Sequence, residues 1–138
     1  MKKHAATLLI LMLAGLTGLV CAQTATTIIA QVPFDYFANG KAMLAGECRV
    51  RIENDGQPIM RIAAERESVI ALPHASESRK ASANTVLIFH QYGDRYFLAG
   101  VSRQGQNVTY ELPAGKLERE LRAQNATEKN VTMLASLQ

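Results

Sequence analysis

The chain has 138 residues, of which 48% are hydrophobic and 20% charged, with two Cys and no Trp. This composition excludes a disordered tail, a collagen-like repeat and a disulfide-dense miniprotein, and it leaves room for one domain. The formal net charge of +3 would indicate a nucleic-acid or membrane-surface partner only if the basic residues belonged to the folded protein.

The first 22 residues have the pattern of an export signal. A basic start is followed by an apolar stretch over residues 5–20, which is short for a membrane-spanning helix. Val20 and Ala22 occupy the −3 and −1 positions of a signal-peptidase site, which predicts cleavage between Ala22 and Gln23. We therefore expect a helical signal peptide over residues 1–22 and an exported mature domain over 23–138, periplasmic or extracellular, without a transmembrane span.

Removal of the signal changes both the charge and the cysteine count. Lys2 and Lys3 are two of the 15 basic residues, which face 12 acidic ones, so the net charge falls to +1. Lipidation at Cys21 is a less favoured alternative, because the residue before a lipidated cysteine is usually small and here it is Val20. Cys48 then remains alone, in an alternating apolar pattern that predicts a buried, unreactive thiol.

Alternation of apolar and polar residues indicates an all-β fold, an antiparallel sandwich or small barrel with one short C-terminal helix. In the first half we expect strands over residues 27–38, 47–53, 59–64 and 69–72. Asn39-Gly40 and Asn54-Asp55-Gly56 supply turns. Pro33 predicts that the first strand lies at a sheet edge, because proline cannot donate to a ladder.

The middle of the chain contains a predicted loop and a predicted central hairpin. Residues 74–84 are polar and lack an apolar period, which predicts a long exposed loop. Strands over 85–92 and 95–101 follow, joined by Gly93-Asp94 as a two-residue turn. The predicted register pairs Tyr92 with Arg95, His90 with Phe97 and Ile88 with Ala99. Both faces carry apolar residues, so we expect this hairpin to be covered on both sides.

The last third predicts a strand over 107–112, a helix over 116–124 and a weak final strand over 127–138. In the helix, Leu117 and Leu121 are four residues apart, and Lys116/Glu120 and Glu118/Arg122 form i,i+4 charge pairs. So short a helix is not stable alone. We therefore expect the two leucines to pack on the sheet or on a partner.

The densest group of reactive side chains surrounds the predicted 93–94 turn and comprises His90, Tyr92, Asp94 and Arg95. An imidazole, a carboxylate and a guanidinium near one turn are candidates for binding an anionic or peptide ligand or a partner. The favoured interpretation is structural: Asp94 suits the turn, Arg95 pairs locally, and His90 is a satisfied strand residue. No residue is assigned a catalytic role.

Other chemistries lack their sequence patterns. The potential metal ligands Cys48, His74 and His90 are widely spaced, so no metal site is expected. No glycine-rich loop precedes a helix, so no nucleotide fingerprint is present and no cofactor is expected. Basic residues interleave with acidic ones, as in residues 49–53, so nucleic acid is not an expected partner.

Several motifs occur together between Val32 and Leu121. They are Val32-Pro33-Phe34-Asp35-Tyr36, Asn39-Gly40-Lys41, Leu44-Ala45-Gly46-Glu47, the run Phe89-His90-Gln91-Tyr92-Gly93-Asp94-Arg95-Tyr96-Phe97-Leu98, and Glu118-Arg119-Glu120-Leu121. The set resembles a group of small exported bacterial proteins of unassigned function. The resemblance implies a β-rich single domain in a Gram-negative envelope or secreted fraction, and it carries over no catalytic residue. The chain departs from the group at Leu44, where proline is usual, and at Cys48, where an aromatic residue is usual.

The sequence thus predicts an exported, non-enzymatic β-rich domain that acts as a binding or structural module of the cell envelope or the secreted fraction. One alternative is a small exported hydrolase that uses His90 and Asp94. Another is a subunit of an envelope assembly, which completes its sheet or buries Leu117 and Leu121 with a protein partner or a second copy of the chain.

Overall fold

The computed structural model describes residues 26–138, so the predicted signal, with Cys21, Ala22 and Gln23, lies outside the described residues. The described chain is built from strands and one short helix, α1 (Lys116–Ala123). The strands are β1 (Thr27–Val32), β2 (Tyr36–Ala38), β3 (Lys41–Met43), β4 (Gly46–Asp55), β5 (Gln57–Ala63), β6 (Ser68–Ala71), β7 (His74–Glu77), β8 (Val86–Tyr92), β9 (Arg95–Ser102), β10 (Val108–Glu111), β11 (Glu128–Leu134) and β12 (Ser136–Leu137).

Two sheets contribute to a shared hydrophobic core. The smaller sheet has the strand order β12-β1-β4-β5-β6, and the larger has β11-β8-β9-β10-β7 with the β2–β3 hairpin attached to β9. Alternation places Ile28 and Val50 of the smaller sheet in the same core cluster as Leu87 and Phe89 of the larger. The all-β prediction is confirmed as a sandwich-like pair of sheets. Among the described strands, one pairing is parallel, that of β2 with β9.

The predicted first strand is two strands that belong to different sheets. Residues 27–38 divide after β1, where Pro33 removes a backbone donor and the Asp35 carboxylate accepts a 2.8 Å hydrogen bond from the Ala45 amide. The predicted edge position is also wrong. The short strand β12 pairs with β1 at Ile28 and Ile29, and Pro33 lies just beyond the end of β1.

The predicted turns are confirmed where glycine or asparagine adopts a positive φ. Asn39 and Gly40 have φ values of 48° and 81°, and Gly93 has a φ of 63°. These left-handed conformations are the ones that a two-residue hairpin turn requires. Residue identity alone therefore fixes where β2 turns into β3 and where β8 turns into β9.

The β8–β9 hairpin follows the predicted register only near its turn. Tyr92 pairs with Arg95 and His90 with Phe97, but Ile88 pairs with Gly100 instead of Ala99. A β-bulge causes this shift, because β9 carries one extra residue opposite the Ile88–Phe89 step. All residues over 97–102 are buried, which confirms that this hairpin is covered on both sides.

Two segments differ from their predicted structure. Residues 74–77 of the predicted loop form β7, which pairs with β10 at the edge of the larger sheet. The predicted final strand divides into β11 in the larger sheet and β12 in the smaller one. The division occurs at Ala135, whose amide donates to the Thr85 carbonyl at 2.9 Å. The tail thus joins both sheets.

The helix is present as predicted, but its buried residue is Glu118, while Leu117 and Leu121 are only partly buried. No helix within residues 26–138 is long and apolar enough to cross a membrane.

Cys48 lies in the core, as predicted, and burial raises the pKa of its thiol. Its neighbour Tyr36 is also buried, and the Tyr36 hydroxyl has no hydrogen-bond partner of acceptable geometry among the described residues. Burial raises the pKa of Tyr36 as well. A protonated thiol without solvent contact is a poor nucleophile, so Cys48 has the properties of a packing residue.

Candidate functional site

A cluster of five polar side chains, the polar cluster, lies between α1 and the larger sheet. His90 and Tyr92 are two residues apart on β8 and therefore share one face of the sheet. Glu118 and Arg122 are four residues apart on α1 and share one face of the helix. The fifth member, Glu128, is the direct cross-strand neighbour of Tyr92 on β11. Three separate elements thus bring these groups together.

Glu118 is the acceptor at the centre of the polar cluster. Its Oε1 lies 2.7 Å from His90 Nδ1, 3.1 Å from the Tyr92 hydroxyl and 3.2 Å from Arg122 Nη2. The residue is only 4% exposed, and a buried carboxylate is stable only when it is paired and hydrogen-bonded. These contacts satisfy Oε1. The 2.7 Å contact is best made by an Nδ1–H of His90 that donates to the carboxylate.

The Tyr92 hydroxyl links the helix to the edge strand β11. It lies 2.5 Å from Glu128 Oε2 and accepts a 2.8 Å hydrogen bond from Arg122 Nε. Because a hydroxyl has one proton, Tyr92 donates to one carboxylate at a time, and the shorter distance favours Glu128. Burial is the main reason that the pKa of Tyr92 is raised to about 12, and the hydrogen bond to Glu128 adds to the effect.

Arg122 balances the negative charge of the polar cluster. Its Nε is 3.1 Å from Glu128 Oε2, in addition to the Nη2 contact with Glu118. The hydrogen bond with Tyr92 is the largest influence that raises the pKa of Arg122 and lowers that of Glu128. Apart from His90, the polar cluster contains two carboxylates and one guanidinium.

Three members of the polar cluster could also offer metal ligands. One ligand atom from each of His90, Glu118 and Glu128 lies within 4.8 Å of the others. However, the Arg122 guanidinium contacts both carboxylates and lies 3.2 Å from His90 Nδ1. A metal ion would have to displace it, so the geometry fits an ion-pair network better than a metal centre.

A cavity of about 300 Å³, the helix cleft, opens beside α1. Its apolar wall comprises Phe37, Phe97, Leu98, Pro113 and Leu117, and its charged residues are Lys116, Glu118 and Glu120. Phe37 and Phe97 stack with their ring centroids 5.2 Å apart, and they belong to the parallel pair that attaches β2 to β9. A concave apolar wall with a few charged groups is the usual composition of a small-molecule site.

Two further cavities contain the remaining candidate residues. One of about 280 Å³ is lined in part by His90, Glu111 and Arg122. Another of about 300 Å³ is lined in part by Asp94 and Arg95. Glu118 lines both the helix cleft and the first of these two.

Comparison with models of protein families, with curated proteins and with solved structures finds no match to this chain.

The four candidate residues predicted from the sequence lie at two different places in the structure. His90 and Tyr92 join the polar cluster, whereas Asp94 and Arg95 line a different cavity and take no part in it. The two residues named by the hydrolase alternative, His90 and Asp94, thus line different cavities.

Three members of the polar cluster, Glu118, Arg122 and Glu128, were not among the sequence candidates. The i,i+4 spacing of Glu118 and Arg122 was a signal for the first two. Glu128 had no such signal, because its position depends on the pairing of β11 with β8.

Proposed function

We propose that this protein is an exported, non-enzymatic binding module of the cell envelope or secreted fraction, and that the helix cleft holds a small ligand. The observation that carries the proposal is the way α1 is attached. Glu118 and Arg122 anchor it through hydrogen bonds at one side, and Leu117 forms a wall of an open cleft instead of filling it.

The cleft has the size and lining of a ligand site. Its volume of about 300 Å³ is at the lower end of the range for small-molecule pockets, about 300–1,000 Å³. The stacked rings of Phe37 and Phe97 lie on sheet strands, so their positions are fixed by the ladder. A rigid apolar wall favours a compact apolar group over an extended peptide.

Export is supported by the sequence of residues 1–22 and by the resemblance to small exported bacterial proteins. A non-enzymatic role is supported by the structural use of the most reactive side chains. His90 Nδ1, the Tyr92 hydroxyl and Arg122 Nε all have partners within the polar cluster, and these contacts hold α1 on the sheet. His90 Nε2 lies 3.6 Å from Glu128 Oε1, beyond hydrogen-bond distance.

The test uses the neutral dye N-phenyl-1-naphthylamine, whose fluorescence rises in apolar surroundings. We expect the protein recovered from a bacterial host to bind the dye with one saturable site. Leu117→Arg places a charge in the cleft and should abolish this binding. Leu121→Arg is the matched control, because Leu121 is also half-buried on α1 but does not line the cleft.

Retention of dye binding by Leu117→Arg, with an unchanged circular dichroism spectrum, would place the site elsewhere and refute the proposal. Cell fractionation tests the export part separately. The protein should accumulate in the periplasm or medium, and its N-terminus should begin at Gln23. Recovery in the cytoplasm with Met1 intact would contradict it.

A further inference from the structure

Glu118, one of the charged residues that line the helix cleft, has one carboxylate oxygen that no described residue uses. Glu118 Oε1 takes the contacts from His90, Tyr92 and Arg122. Glu118 Oε2 accepts no hydrogen bond from the described residues, and it is not among their fully enclosed unpartnered atoms. An ionised carboxylate this buried needs partners on both oxygens. The free oxygen is therefore available to a ligand donor.

We propose that the helix cleft binds a small amphipathic amine, with its apolar part against Phe37, Phe97 and Leu117 and its protonated amino group on Glu118 Oε2. This inference rests on the proposed function and names the ligand class for the same cleft. A charge-assisted hydrogen bond from an ammonium group would use the free oxygen.

The other charged groups of the cleft determine whether a cation or an anion is preferred. Lys116 and the start of α1 favour an anion, because helix N-termini carry partial positive charge. Glu118 lies in the first turn of α1 and offsets that partial charge, and Glu120 adds a second carboxylate. Lys116 is exposed and can keep its ammonium group in water. The balance therefore favours a cation beside Glu118.

The aromatic rings that line the cleft strengthen this preference. Aromatic rings present a negative face that attracts ammonium groups, and the effect increases when water is excluded. Phe37 and Phe97 provide such rings in the same cleft as the Glu118 carboxylate. An aryl or alkyl amine can thus place its charge near the carboxylate while its apolar part covers the ring surface.

The experiment compares three probes that share a phenyl ring: phenethylamine, 3-phenylpropionate and benzyl alcohol. Their affinities for the protein are measured by NMR titration at neutral pH. We expect phenethylamine to bind more tightly than the other two. Glu118→Gln should weaken phenethylamine by about ten- to hundredfold, the range for losing a hydrogen bond between charged groups. The same substitution should change the affinity for benzyl alcohol by less than about threefold.

Glu128→Gln is the matched control. It removes a carboxylate from the polar cluster without altering the cleft lining, so phenethylamine affinity should stay within about threefold. If Glu118→Gln unfolds the protein, Lys116→Gln provides a second measurement. It should raise the affinity for phenethylamine and lower the affinity for 3-phenylpropionate.

The outcomes separate this inference from the proposed function. Equal affinity for phenethylamine and benzyl alcohol, or tighter binding of 3-phenylpropionate, would overturn the amine assignment while leaving a binding cleft. If none of the three ring probes binds and the neutral dye does not bind either, the proposed function itself is refuted.

Discussion

Replacement of Tyr92 by phenylalanine tests whether the polar cluster holds α1 in place. The substitution removes one oxygen atom and keeps the ring, which packs edge-on against Phe97 at 5.7 Å. The hydroxyl contacts Glu128 Oε2 at 2.5 Å, Arg122 Nε at 2.8 Å and Glu118 Oε1 at 3.1 Å. Tyr92→Phe therefore removes hydrogen bonds to charged groups and little else.

The size of the effect follows from what the neighbouring groups can do afterwards. Hydrogen bonds to charged groups contribute about 1.5–3 kcal/mol each. Arg122 and Glu128 keep their own 3.1 Å contact, and their side chains, 44% and 36% exposed, can be hydrated. The buried Glu118 keeps its contacts with His90 and Arg122. We therefore expect a loss of about 1.5 kcal/mol in the free energy of unfolding, at the lower end of that range. For a domain of this size the loss lowers Tm by roughly 6 °C.

The comparison variant is Tyr36→Phe, which makes the same chemical change at a buried hydroxyl without a described partner. Urea unfolding should show that this variant is as stable as the wild type or more stable by up to about 1 kcal/mol, because a buried unpaired hydroxyl is unfavourable. Equal losses in both variants would show that the contacts of Tyr92 add nothing, and would refute the role of the polar cluster.

High pH provides an independent measurement on the same residue. The pKa of Tyr92 in the folded protein is raised from 10.0 to about 12, so its stabilising contribution is present below pH 10 and is lost as the pH rises to about 12. The difference in stability between the wild type and Tyr92→Phe should therefore shrink across this range. A constant difference would show that the hydroxyl titrates normally.

Two further predictions concern acid stability and close backbone packing. The hydrogen bond from Tyr92 lowers the pKa of Glu128 below 4.5, so the stabilisation that Glu128 provides is lost as the pH falls through this lowered pKa. Between about pH 5 and 3, the free energy of unfolding measured with urea should therefore fall less steeply in Glu128→Gln than in the wild type. The exposed control Glu77→Gln should keep the wild-type slope, and equal slopes in the two variants would contradict the assignment. A Cβ at Gly100 would lie 3.0 Å from the Tyr110 carbonyl oxygen, so Gly100→Ala should destabilise the protein by about 1–3 kcal/mol. Gly115→Ala, where the nearest contact is an ordinary 3.7 Å, should have a smaller effect in the same unfolding assay, and similar losses at the two positions would count against this packing.

The parts of the fold that the sequence predicts are those fixed by neighbouring residues. Asn39-Gly40 and Gly93 adopt the positive φ values that their turns require, and alternation along β4 correctly buries Cys48 and Val50. The predictions are wrong where the local structure depends on strands that are distant in the sequence. The bulge opposite Ile88 depends on how β9 meets its neighbours, and the division of the tail depends on both sheets being in place.

The candidate site shows the same distinction. Period-two spacing relates His90 to Tyr92, and i,i+4 spacing relates Glu118 to Arg122, so each pair can be recognised locally. The contact between the two pairs cannot be recognised in this way, because Tyr92 is 26 positions from Glu118 and 36 positions from Glu128 in the sequence. Only the docking of α1 on β8 and the pairing of β11 with β8 place the two pairs and Glu128 together.

The attachment of α1 also explains why an open cleft survives beside a short amphipathic helix. Leu117 and Leu121 are only partly buried. Fuller packing on the sheet would remove more of their apolar surface from water, and hydrophobic burial has no preferred geometry. Hydrogen bonds do have a preferred geometry. Glu118 and Arg122 must lie within about 3 Å of their partners on β8 and β11 to satisfy a buried carboxylate. That requirement orients the helix with Glu118 inward and leaves Leu117 as a wall of the helix cleft. Leaving Glu118 unpaired would be more unfavourable than leaving a leucine half-exposed, so the polar contacts determine the position of the helix and thereby keep the cleft open.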